Sequence, residues 1–189
     1  MPIDPATTAV LSLDVQQGLL GFAPEAQSAI PAAAQTVAAA RRLGCRVFHV
    51  GLGFEPGYPE IQPGHPRFGM IKDRGLFLMG SDSARVHAAI HQEGDVFIAK
   101  HRVSGFSGNA LEMILRAQGI RTLVLFGFTT SGIVLSTLRQ AADLDYLCIV
   151  VKDACYDGDP EVHRVLTEKV FSAQATVLTA AEFAVSQAT

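Results

Sequence analysis

The feature that most constrains this chain is a rhythm, in which short apolar runs rich in β-branched residues alternate with segments of helical length. Residues 8–14, 46–51, 95–99, 122–126 and 147–151 read as buried strands, with a weaker sixth run at 175–178. Between them, residues 25–43, 110–118, 132–144 and 160–172 have helical length and period. Asn109 followed by Glu112 has the spacing of a capping box and marks a helix start. This alternation predicts a three-layer α/β/α sandwich around a mostly parallel, about six-stranded sheet, because right-handed crossovers lay helices on both faces.

In such a sheet the reactive crevice lies outside the carboxyl ends of the strands. That rule singles out Asp14, Lys100, the segment after Phe126, and Asp153. Residues 52–94 break the rhythm with Pro56, Pro59, Pro63, Pro66 and several glycines. A loop of this length inside a compact domain serves as a lid, a binding segment or an oligomer contact.

Composition narrows the function classes. With 189 residues, 49% of them apolar, the chain can bury one sizeable core, so one domain over 1–189 is expected. Charged residues are only 17%, against roughly 25% in typical soluble chains, which points to surface used in a homo-oligomer, a dimer or tetramer. A net charge of −3 and no basic cluster longer than Arg41-Arg42 give no footprint for nucleic acid or an anionic membrane. The first residues lack a basic start followed by an apolar run, so no signal peptide or membrane anchor is expected, and the expected location is cytoplasmic. Cys45, Cys148 and Cys155 have no metal-ligand spacing and read as buried reduced thiols.

Asp14 closes an apolar strand, where an unpaired carboxylate costs several kcal/mol. Lys100 closes another, in FIAKHR, and the two could meet in one crevice or could simply be solvated charges ending their strands. The segment LFGFTTSGIVLSTLRQ runs from a strand through a small polar turn into a helix, which aims backbone N–H groups into the crevice. It can form an anion site, or be a plain connection with Ser131 as helix N-cap. His87 and His91 are four apart, a metal-compatible spacing, but a solvated helix face explains them and no metal site is expected.

SLDVQQG, AKHRVSGFSGNALEMILRAQGIRTLVLFGFTTSGIVLSTLRQAADLDY and LCIVVKDACYD, in this order and spacing, resemble the isochorismatase-like (cysteine hydrolase) family over nearly the whole chain. The resemblance implies a Rossmann-like sheet, a small-molecule substrate, no cofactor, and an Asp-Lys-Cys triad. Asp14 and Lys100 match its first two members. The turn of form G-x-x-T-x-x-C-V is here Gly127 to Val134, and Ile133 stands at the cysteine's position. The resemblance further implies a cis peptide at Phe128-Thr129 and an oxyanion site from the N–H groups of Thr129 and Ile133. It also implies substrate contacts from Gln16, Phe106 and Thr130, with Tyr58 and Phe68 as additional pocket candidates. Family nicotinamidases hold a metal through an Asp-x-His segment that reads here His49-Val50-Gly51-Leu52-Gly53.

A sec-butyl side chain cannot form a thioester. Ser136 and Thr137 read as helix hydroxyls bonded one turn back, and Cys155 as structural. Isochorismatases also lack the cysteine and protonate a vinyl ether with the strand aspartate, but they carry glycine where this chain has Ile133. Three readings follow: a non-thiol hydrolase using Asp14 and Lys100 with a backbone oxyanion site, a non-catalytic member that keeps the pocket for binding or assembly, or a thiol hydrolase with a displaced cysteine.

Overall fold

The computed structural model describes residues 3–185, so the expectations for Met1, Pro2 and the outer limits of the 1–189 domain fall partly outside the described residues. Among the described residues six strands form one sheet in which every pairing is parallel: β1 (Thr8–Leu13), β2 (Arg46–Leu52), β3 (Val96–Lys100), β4 (Thr122–Gly127), β5 (Leu147–Val151) and β6 (Thr176–Leu178). Their order is β3-β2-β1-β4-β5-β6. Every residue of β1 and β4 is buried, as a central strand covered on both faces requires, and this is why those segments read as unbroken apolar runs.

Among the described residues the α-helices are α1 (Gln17–Phe22), α2 (Ile30–Leu43), α3 (Gly69–Asp73), α4 (Leu111–Ala117), α5 (Leu135–Asp143), α6 (Pro160–Val165) and α7 (Ala180–Val185). From β1 the chain steps outward through β2 to β3, then returns to β4 and steps the other way through β5 to β6. Right-handed crossovers made in opposite directions put their helices on opposite faces. The reversal between β1 and β4 opens a crevice at their carboxyl ends.

Several local expectations are corrected. The helix expected at 25–43 is a 3-10 turn over Pro24–Ala29 followed by α2, which ends at Gly44 in the left-handed conformation. Asn109 closes no capping box: its Oδ1 accepts from the Leu111 N–H at 2.9 Å while its Nδ2 donates to the Gly105 carbonyl, one residue too early to cap α4. Ser131 is not an N-cap either, because Thr130–Val134 already form a π-helical turn. Thr137 does not bond back along its helix; its Oγ1 accepts the Gly105 N–H at 2.9 Å, tying α5 to the loop after β3.

The long segment after β2 is a packed annex with its own apolar cluster of Leu52, Phe54, Tyr58, Ile61, Phe68, Ile71 and Phe77. Among the described residues no helix is long and apolar enough to cross a membrane.

Candidate active site

β1 ends one residue before Asp14, which takes a left-handed φ of 56°, a conformation Asp tolerates better than most residues. Its N–H donates to the Val50 carbonyl and its own carbonyl accepts from Gln16, so the strand breaks sharply and the carboxylate is turned off the sheet. Lys100 ends β3, two strands away, roughly 9–10 Å across the sheet. Its stem spans the gap, and its Nζ lies 2.9 Å from Asp14 Oδ2 and 3.1 Å from the Arg102 carbonyl. Both are buried: Asp14 is 6% exposed and Lys100 2%.

One Asp14 oxygen is therefore engaged, whereas Oδ1 is buried with no hydrogen-bond partner. The nearby Leu52 N–H is committed to Gln16 Oε1 at 2.8 Å and contributes only its dipole. Burial pushes the Asp14 pKa up, and Lys100, the Leu52 dipole and Arg67 only partly oppose it. Burial pushes the Lys100 pKa down, against the pull of Asp14. The two acidities thus move toward each other, which suits a pair that exchanges a proton with a reacting group.

The third wall is the turn after β4. Gly127 sits at φ 145°, and a Cβ there would lie 1.9 Å from the Leu13 carbonyl oxygen, so only glycine fits. The Phe128-Thr129 peptide is cis. The Thr129 N–H has no hydrogen bond among the described residues, while Thr130 and Ser131 donate theirs to the Tyr156 carbonyl and to Asp157 Oδ2. Ile133 is 2% exposed, yet it does not fill the crevice. Asp14, Lys100, Thr129 and Ile133 together line an open cavity of about 260 Å³.

Three expected substrate contacts lie elsewhere. Gln16 is 1% exposed and fully used as a brace, its Nε2 donating to the Leu52 and Ala84 carbonyls. Phe106 stacks on Tyr146 at 6.0 Å in the core, off the cavity wall. Thr130 is wholly buried, with Oγ1 2.9 Å from His163 Nδ1. Of the two aromatic candidates in the loop, Phe68 lines the cavity, whereas Tyr58 packs beneath it and donates to the Leu76 carbonyl.

Sequence reasoning missed Arg67, which lines the cavity from the long loop. A Cβ on Gly132 would lie 3.1 Å from its Nη2, which places the guanidinium over the turn, and no salt bridge engages it among the described residues. No periodicity governs that loop, so nothing in the sequence fixed where the side chain would go.

Asp153 Oδ1 accepts the Ala180 N–H at 2.8 Å and pins the start of α7. Cys155 is buried, donates to the Val151 carbonyl, and has its pKa pushed up to about 12 by burial. Away from the cavity, His49, His91 and Asp95 each place a potential metal-ligand atom within 4.8 Å of the others. Asp95 Oδ2, however, already accepts from Arg41 at 2.5 Å, Gln92 N at 2.7 Å and His49 Nε2 at 2.9 Å. The guanidinium there supplies the countercharge a metal ion would bring.

A parallel three-layer domain with a buried acid–amine pair and a strand-turn-helix segment beside an open cavity at the sheet's switch point has a layout suited to a small-molecule site. Residues 8–182 match the isochorismatase domain, and the chain belongs to the isochorismatase family of hydrolases. It is 36% identical over 179 residues to ureidoacrylate amidohydrolase RutB of Azorhizobium caulinodans, covering 82% of this chain and 78% of that one. N-carbamoylsarcosine amidase of Thermoplasma acidophilum superposes with a TM-score of 0.71 at 30% identity, over 92% of this chain and 96% of that one. An isochorismatase family protein of Burkholderia thailandensis, 24% identical, shares the fold over the full length of both chains with a TM-score of 0.82.

Proposed function

We propose that this chain hydrolyses the C–N bond of a small carbonyl compound without a nucleophilic thiol, Ile133 having replaced the cysteine. The observation that carries this reading is the Asp14 carboxylate, one oxygen on Lys100 and the other buried, unpartnered and beside an open cavity. Two relatives named for amide hydrolysis support the bond type.

In this mechanism Asp14 Oδ1 takes a proton from a water as the water oxygen bonds to the carbonyl carbon. The carbonyl π pair moves to oxygen, and the N–H groups of Thr129 and Ile133 hold the resulting oxyanion. When the pair returns, the C–N bond breaks and the proton on Asp14 passes to the leaving nitrogen, giving acid and amine. Lys100 keeps the carboxylate charged and oriented. A pKa raised by burial makes Asp14 a better base than a solvated carboxylate.

A screen of amides, N-carbamoyl amino acids, esters, nitriles and vinyl ethers, run on wild type, Asp14→Asn and Ile133→Cys, tests this. Turnover by wild type that Asp14→Asn abolishes supports it. Amide hydrolysis that appears only in Ile133→Cys identifies a pocket kept for binding or assembly. We read the chain as one domain that assembles into a homo-oligomer in the cytoplasm, supported by its low charge and by exposed Met113 and Leu147. Light scattering on the purified protein checks the assembly.

A further inference from the structure

The wall of the cavity is asymmetric. Asp14, Lys100 and Thr129 occupy the reacting end, and nearly all the rest is hydrocarbon: Leu19, Phe22, Phe68, Met70, Ile71 and Phe77. Two of these, Phe22 at 42% and Met70 at 46%, are among the most exposed large apolar residues of the protein. A ligand lying against such surface removes it from water, which favours binding. Within the same lining, Arg67 holds an unengaged guanidinium over Gly132. Arginine presents paired donors that match a carboxylate, and it does so best beside apolar surface.

We infer that this cavity selects an amide-type substrate carrying both a carboxylate, bound by Arg67, and an apolar side chain, bound by Phe22 and Met70. A cavity of about 260 Å³ lies just below the range of drug-sized pockets, roughly 300–1,000 Å³, so the substrate is of metabolite size. The inference rests on the proposed function only in taking this cavity as the reaction site. It goes further by excluding small, wholly polar substrates and uncharged amides as preferred ligands.

Calorimetry with the full chain carrying Asp14→Asn, which suppresses turnover, decides it. The probes are N-carbamoyl-leucine, its uncharged amide N-carbamoyl-leucinamide, and N-carbamoylglycine. N-carbamoyl-leucine is expected to bind about ten-fold more tightly than either of the others, a difference of roughly 1.4 kcal/mol. Adding Arg67→Gln should abolish the preference over the leucinamide. Adding Met70→Ser should abolish the preference over the glycine compound. Equal affinity for all three probes overturns the inference, as does no binding of any by protein whose circular dichroism is native.

The same probes in a turnover assay keep the two claims apart. The binding preference without hydrolysis by wild type leaves this inference standing and removes the hydrolase reading. Hydrolysis of leucine and leucinamide compounds at equal kcat/KM does the reverse.

Discussion

Lys100 Nζ lies 2.9 Å from Asp14 Oδ2 across the intervening strand β2, and both side chains are almost wholly removed from water. Breaking a buried pair by removing one partner leaves an uncompensated charge and costs about 3–5 kcal/mol. Lys100→Met should therefore lower the melting temperature by on the order of 10 °C in a chain of this size. Asp14→Asn added to it removes the stranded carboxylate and should recover at least half of that loss. Thermal melts of the two variants check this, and a Lys100→Met protein that melts with wild type would show the pair contributes nothing.

Asp95 gives a pH prediction with a definite sign. Burial alone would raise its pKa, but the bonds from His49, the Gln92 N–H and Arg41 outweigh burial and hold it below the usual carboxylate range. Its stabilisation is therefore complete above the unfolded value near 3.8 and is lost as pH falls through the lower folded value. Asp95→Asn should lose on the order of 1–3 kcal/mol at pH 7, and its gap to wild type should narrow below about pH 3.5. His49, whose pKa burial lowers from 6.5, adds a separate decline in stability as pH drops below that value, because the unfolded chain protonates first. Urea melts at pH 7, 5 and 3 measure both, and a gap that stays constant to pH 3 would contradict the assignment.

Gly127→Ala should abolish soluble expression or lower the melting temperature by more than 10 °C, roughly the effect of 3 kcal/mol or more. The added methyl would meet the Leu13 carbonyl at 1.9 Å, and the strand backbone there is pinned by β2 and β4 on both sides. A near-native melt would mean that the turn carrying Thr129 and Ile133 is more yielding than its geometry implies.

The thiols should be inert. Cys45, Cys148 and Cys155 are free and buried, and burial pushes Cys148 up to about 11 and Cys155 up to about 12. Only thiolates react appreciably, so iodoacetamide at pH 8 should leave both the native thiols and any hydrolytic activity intact. Activity lost in step with alkylation of Cys155 would revive a displaced-cysteine mechanism.

Much of this is legible in the sequence alone. Strands buried on both faces leave apolar runs too regular to miss, and a charge at the end of such a run, as at Asp14 and Lys100, announces that something must satisfy it. Gln16, Phe106 and Thr130 lie off the cavity wall, because side-chain direction after a strand depends on the turn. The left-handed backbone at Asp14 swings Gln16 under β2 to brace Leu52, away from the cavity. Likewise the π-helical turn at Thr130 aims its hydroxyl at His163, which no alternation rule anticipates. Arg67, in a loop with neither period, became visible only once its annex packed against the sheet.

The measurement that bears most directly on the account is the initial rate of wild type beside Asp14→Asn on the best substrate of the screen. If Asp14 activates the attacking water, wild type stays active and the variant falls by at least about a hundred-fold, the low end of general-base effects. Rates within a few-fold of each other would contradict the account and remove Asp14 from the chemistry.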